Sequence, residues 1–133
     1  NAMDVGSPSN FTRMQALFEG SHQKISEVIK GYSYDDAATQ SELKKLYNNS
    51  NYLADPHGAV GFLAAKEYLK TAQQNTHVTV LETAHPAKFL STVEESIGVR
   101  IPVPDRLSIL SSREKVATQL SKQYADFKSY LLQ

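Results

Sequence analysis

Val78-Thr79-Val80-Leu81-Glu82-Thr83-Ala84-His85-Pro86-Ala87-Lys88-Phe89 is the stretch on which the fold reading turns. Its first four residues are β-branched or apolar, the composition of a short strand. Pro86 then opens a helical pattern, with Phe89, Val93 and Ile97 spaced to face inward and Gly98 closing it. Thr83, His85 and Lys88 thus gather a hydroxyl, an imidazole and an ammonium where a strand hands over to a helix. Open α/β sheets bind their ligands at such points.

The unit before it is built alike. Tyr52-Leu53-Ala54 is a strand candidate, Asp55 a cap, Pro56 the first helical residue, and the helix runs to about Ala72. Val60, Phe62, Leu63, Ala64, Ala65 and Leu69 make it apolar on most sides. Lys66, Glu67 and Lys70 mark a narrow wet face, as in a mostly buried helix. Strand, helix, strand, helix with short links predicts an α/β fold: a small, mainly parallel sheet packed with several helices.

Around these units lie helical segments. Ser7-Pro8-Ser9-Asn10 starts one, with Phe11, Met14, Leu17 and Phe18 on its core side. A second runs from His22 to Lys30 and stops at Gly31, with Ile25, Val28 and Ile29 on one side. Tyr32-Ser33-Tyr34 is a brief strand candidate. Asp35-Asp36 caps a third helix with Leu43, Leu46 and Tyr47 as its stripe. Ile101-Pro102-Val103-Pro104 is an extended connector. Ser111 and Glu114 have capping-box spacing, and Val116, Leu120, Tyr124, Phe127 and Leu131 form the stripe of a last helix.

Composition narrows the function classes. The 133 residues suit one domain, with 41% hydrophobic and 21% charged residues. Lys plus Arg and Asp plus Glu both number 14, which leaves no basic excess to hold nucleic acid or an anionic membrane. The longest apolar run, Ala59-Val60-Gly61-Phe62-Leu63-Ala64-Ala65, is too short to cross a bilayer. Without cysteine there is no disulfide framework, thiolate nucleophile or thiolate metal site, which fits a cytoplasmic location. His22, His57, His77 and His85 never take the i, i+4 spacing of a helical metal pair, so no metal site is expected.

Two stretches carry candidate chemistry. Thr83 sits at the carboxyl end of the second strand, and the N–H groups of residues 84–88 head a helix that can receive an anion. The competing reading makes Thr83 an ordinary helix cap. In Asp55-Pro56-His57-Gly58-Ala59-Val60, Asp55 caps the helix while Gly58 and Ala59 admit a flat ring or a neighbouring backbone. Arg13, in the first turns of its helix, is a phosphate partner by chemistry and a solvated arginine by default.

Those two words, together with Met3-Asp4-Val5-Gly6-Ser7-Pro8-Ser9-Asn10-Phe11 and the stretch from Phe89 through Val93 and Glu94 to Asp105, resemble the C-terminal segment of the threonine synthase family. Asn1 to Val5 match an internal stretch of that family and so look native. The resemblance implies the fold of the large domain of a fold type II pyridoxal-phosphate (PLP) enzyme. It divides residues 1–133, taken as one domain, into a cofactor-domain portion over 1–100 and a connector with a C-terminal helix over 101–133. It also implies conversion of O-phospho-L-homoserine and water to L-threonine and phosphate, with PLP as cofactor. Thr83 matches the family position against the pyridine nitrogen, and Asp55 and His57 match positions lining the cofactor pocket.

The family's Schiff-base lysine and Gly-rich phosphate loop are not matched. None of the ten lysines has the right context, and the glycines stand apart at 6, 20, 31, 58, 61 and 98. No catalytic residue is therefore expected among these 133. The remainder of the same polypeptide becomes the expected partner, and the isolated segment is expected to be inactive and to self-associate. The alternative is a stand-alone binding or regulatory module with the fold and no catalysis.

Overall fold

The computed structural model describes residues 8–133. Its elements are all helical: α1 (Phe11–Leu17), α2 (His22–Val28), α3 (Asp36–Ser50), α4 (Pro56–Leu69), a 3-10 turn (Pro86–Phe89), α5 (Leu90–Ile97), α6 (Asp105–Ser111) and α7 (Tyr124–Leu131). No strand is present among the described residues. This corrects the expected α/β fold with a mainly parallel sheet. Residues 32–34, 51–55 and 76–83 lie outside any helix, yet none forms a ladder. β-branched residues favour extended backbone, but a strand also needs a neighbour to exchange N–H···O=C bonds with. The second candidate strand instead meets α4 through side chains: a Cβ on Gly61 would come within 2.9 Å of Val80 Cγ1.

Local chemistry sets the helix starts. Asp35 Oδ1 accepts from Ala38 N at 2.7 Å and Asp55 Oδ1 accepts from Gly58 N at 2.8 Å, so both predicted caps are in place. Pro56 occupies the first turn of α4, where its missing N–H costs nothing. Gly98 ends α5 in the left-handed region at φ 76°, and its N–H donates to Glu94 O at 2.8 Å.

The core lies between α3, α4 and α5. Leu43, Leu46, Ala54, Ala59, Val93, Ile97 and Ile101 are buried, with Tyr47, Leu53, Phe62, Phe89 and Leu90 packed around them. Burying side chains of the size of Leu43 contributes about 1.5–3 kcal/mol each. Glu42 is buried on the same face of α3 and accepts from Lys66 of α4.

The two ends of the chain depart from expectation. α1 starts at Phe11, with Asn10 at its cap position and no side-chain cap; the expected cap Ser7 lies outside the described residues. Phe11 and Leu17 are exposed, leaving Met14 and Phe18 as the half-buried pair. α2 stops at Val28, two residues before Lys30, and α4 stops at Leu69. Ser111 ends α6 rather than starting a helix, and residues 114–120 are not helical, so Val116 and Leu120 belong to no stripe. α6 was not foreseen; it follows the predicted connector, where Pro104 precedes Asp105.

Candidate functional site

The start of α4 and the segment leading into the 3-10 turn come together. Asp55 is fully buried, and its two carboxylate oxygens divide their work. Oδ1 caps Gly58 N, while Oδ2 lies 3.4 Å from His57 Nδ1. His57 is half-exposed and stands edge-on to Phe89, with ring centroids 5.3 Å apart. The second predicted word thus touches the end of the first.

A second link joins them. Glu82 Oε1 accepts from the backbone N–H of Asp55 at 2.6 Å, across 27 residues of sequence. Its carboxylate fills the space a Gly58 side chain would take: a Cβ there would lie 2.6 Å from Glu82 Oε1 and closer still to Oε2. Gly58 therefore admits a close approach, as its sequence context suggested, but the group admitted is a side-chain carboxylate.

Thr83 follows Glu82 directly and is exposed. Its hydroxyl makes no hydrogen bond to any described residue. The cap at the 3-10 turn is His85, whose Nδ1 accepts from Ala87 N at 3.1 Å. Lys88 N donates to His85 O at 2.9 Å, so two of the N–H groups expected to receive an anion are already occupied. Lys88 projects its ammonium 5.9 Å from the Phe89 ring centroid, and Arg13 on α1 is exposed.

Burial, then the carboxylates of Glu82 and Asp55, raise the Tyr52 phenol above its ordinary value. Tyr52 packs edge-on against Phe62, with centroids 5.8 Å apart. Among the described residues no group of three or more His, Cys, Asp or Glu side chains can hold a metal ion, and no helix is long and apolar enough to cross a membrane.

Glu82 is the site residue that sequence reasoning missed. A signal for it exists: in a capping box, the third residue of the helix reaches back to the cap N–H. Here that residue is Gly58, which has no side chain to do so, and a carboxylate from elsewhere in the chain must take the role.

A helical segment that presents a free hydroxyl and an imidazole beside a capped helix start is the class of structure these features define. The model of the family described as "Threonine synthase, C-terminal" matches residues 58–131, and the chain belongs to that family. Threonine synthase of Haemophilus influenzae is 31% identical over 132 residues, covering 99% of this chain and 30% of the relative. That of Escherichia coli K12 is 30% identical over 133 residues, again covering 99% and 30%.

The crystal structure of the Escherichia coli threonine synthase superposes with a TM-score of 0.69 at 27% identity, over 98% of this chain and 29% of that one. A PLP-bound threonine synthase from Brucella melitensis shares the fold, with a TM-score of 0.58 at 24% identity over 92% and 31%. The chain spans about 30% of the length of the curated relatives it matches.

Proposed function

We propose that this chain is the C-terminal part of a PLP-dependent threonine synthase, which converts O-phospho-L-homoserine and water to L-threonine and phosphate in the cytoplasm. The observation that carries the reading is the free, exposed Thr83 hydroxyl on a segment pinned to the start of α4. Membership of the family and similarity to threonine synthases over 99% of this chain support it.

The donor set fits one end of the cofactor. An unprotonated pyridine nitrogen accepts a hydrogen bond, and the Thr83 hydroxyl is a neutral donor with no competing bond among the described residues. The phosphate end finds no cradle in these residues: the glycines are dispersed, and His85 already engages the N–H groups of Ala87 and Lys88. The rest of the polypeptide would hold the phosphate and supply the lysine. When bound, PLP supplies the electron sink that lets phosphate leave.

This chain's residues would orient and enclose. Thr83 would hold the ring nitrogen through its hydroxyl. Asp55 would act indirectly, fixing the first turn of α4 and lying against His57. His57, backed by Phe89, would line the pocket wall. None of the three forms or breaks a covalent bond.

Phosphate release from O-phosphohomoserine tests this, with PLP present, for the complete polypeptide and for the 133-residue chain alone. The complete polypeptide is expected to turn over and the chain alone to match the free-PLP background, since covalent catalysis needs the lysine. A complete polypeptide that neither binds PLP nor releases phosphate overturns the proposal. Turnover by the chain alone overturns the division of labour.

A further inference from the structure

We infer that Glu82 is a positioning residue, which completes the cap of α4 from a distance and thereby fixes Thr83 and His57 relative to each other. The inference rests on the reading of Thr83 as the partner of the cofactor ring.

Asp55 N–H lies at a helix start, where backbone donors have no partner inside the helix. Asp55 is fully buried, so water cannot readily take this bond, and an unsatisfied buried N–H is costly. A capping box would satisfy it with the side chain of the third helical residue. That residue is Gly58, and the Glu82 carboxylate stands in the volume it leaves open, accepting from Asp55 N at 2.6 Å. The missing side chain and the distant carboxylate are two halves of one arrangement. Either alone fails: a side chain at 58 collides with Glu82, and without Glu82 the cap N–H is orphaned.

The consequence is positional. Residues 76–83 have no ladder to hold them, so their placement depends on side-chain contacts. Val80 against Gly61 and Glu82 on Asp55 are two of them. The latter bond is made by the residue immediately before Thr83. On the α4 side it is made by the residue two before His57. One hydrogen bond therefore sets the offset between the hydroxyl and the imidazole proposed to face the same cofactor. Small misplacements of groups that orient a reacting molecule have large effects on rate.

The test uses the complete PLP-loaded enzyme with Glu82→Ala, Glu82→Gln, Gly58→Ala, Thr83→Ala and the double variant Glu82→Ala/Thr83→Ala. The measurements are the PLP dissociation constant, the absorption spectrum of the bound cofactor, and kcat and KM separately. Glu82→Ala is expected to weaken PLP binding about tenfold and to move the absorption in the direction Thr83→Ala moves it. Glu82→Gln should recover most of both, because its amide oxygen still accepts from Asp55 N–H and fits beside Gly58. Gly58→Ala should reproduce Glu82→Ala by displacing the carboxylate, which also serves if Glu82→Ala does not fold. The double variant should be no worse than Thr83→Ala alone, since both act through one group.

If Thr83→Ala alters binding and spectrum while Glu82→Ala and Gly58→Ala leave both unchanged, Glu82 is not a positioning residue. Full additivity in the double variant overturns it as well. If Thr83→Ala moves neither measurement, the reading of Thr83 itself fails, and the inference falls with it.

Discussion

Lys66 on α4 donates to Glu42 on α3, and the two ends of that bond lie in different surroundings: the Glu42 side chain is 1% exposed and that of Lys66 is 54% exposed. The pair is therefore asymmetric. Cut free, Lys66 can turn to water, whereas Glu42 stays inside the α3–α4 contact without its partner. Lys66→Met should destabilise the chain by about 1–3 kcal/mol, the range for stranding a buried polar group. Glu42→Leu should cost less, and the double variant should approach wild type, as replacing both partners of such a pair often does. Chemical denaturation of the four proteins checks this. A Glu42→Leu chain less stable than Lys66→Met would refute the asymmetry.

Gly58 and Gly61 lie one turn apart on α4 and meet different neighbours. At Gly58 the obstacle is the tip of a flexible glutamate; at Gly61 it is the branched Val80, 2.9 Å from the site of a Cβ. Alanine in a helix gains about 0.5–1 kcal/mol over glycine. Gly58→Ala should therefore be only mildly destabilising, by about 0–2 kcal/mol, because the helical gain offsets part of the cost of leaving the buried Asp55 N–H unpaired. Gly61→Ala should be clearly destabilising, since Val80 is stiff at χ1 and cannot fold away. Thermal melts of both, with Val80→Ala as the rescue for Gly61→Ala, decide the matter; a neutral Gly61→Ala contradicts it.

Tyr52 gives the chain an alkaline signature. Burial first, then Glu82 and Asp55, hold its phenol above the ordinary tyrosine value. A folded-state value above the unfolded one means the native state keeps its proton longer. The contribution to stability is complete below the unfolded value near 10, and is lost as pH rises through the folded value. Stability should thus decline from about pH 10 upward. Tyr52→Phe should flatten part of that decline, and Glu82→Gln should bring the Tyr52 titration, followed by tyrosinate absorbance against Tyr52→Phe, to lower pH. Equal alkaline slopes in wild type and Tyr52→Phe would remove Tyr52 as the cause.

Much of this architecture is legible in local chemistry, and the parts that are not depend on distant partners. Asp35, Asp55 with Pro56, and Gly98 set helix boundaries through bonds within four residues, so their sequence context suffices. Leu43 and Leu46 on α3, and Val93 and Ile97 on α5, have helical spacing and are buried as that spacing implies. Residues 78–81 have strand composition, but pairing is a property of two segments, and no described segment pairs with them.

In the last stretch, Val116 and Leu120 continue the period of Tyr124 and Phe127, yet neither is buried, so apolar burial does not favour a helix over extended chain there. Val116 is 92% exposed. At the site, Asp55 as a cap was legible, but Glu82 was not, because its partner lies 27 residues away. His85 displaced Thr83 as the cap because its ring nitrogen reaches Ala87 N, a geometry that residue type alone does not reveal.

The end of the chain predicts association. Tyr124, Leu131 and Leu132 are 76%, 63% and 77% exposed, and elsewhere Ala87, Leu90, Val103, Leu107 and Leu110, with Lys88 and Ser108, line an open groove. Contiguous apolar surface of more than a few hundred Å² drives association. The 133-residue chain should form dimers or larger species at high concentration, and Leu131→Glu with Tyr124→Glu should shift it towards monomer. Sedimentation with hydrophobic-dye binding measures both; a monomer at millimolar concentration with no dye binding rules the expectation out.

Thr83 offers the sharpest test of the functional reading. Its hydroxyl has no partner among the described residues and no capping duty, so removing it should cost the fold little. In the complete enzyme, Thr83→Ser should keep most turnover because the donor remains. Thr83→Ala should lose roughly one to two orders of magnitude, the effect of a bond worth about 1–3 kcal/mol where water cannot replace it. Thr83→Asp places a carboxylate beside the ring nitrogen and favours its protonated form, as an opposite charge does for any neighbour. That variant should shift the cofactor's absorption and divert part of the reaction from elimination to side products. Turnover, PLP affinity and spectra of the three variants, set beside the melting temperature of each, separate a cofactor partner from a structural residue. If Thr83→Ala matches Thr83→Ser and wild type in all of them, the hydroxyl has no role at the ring.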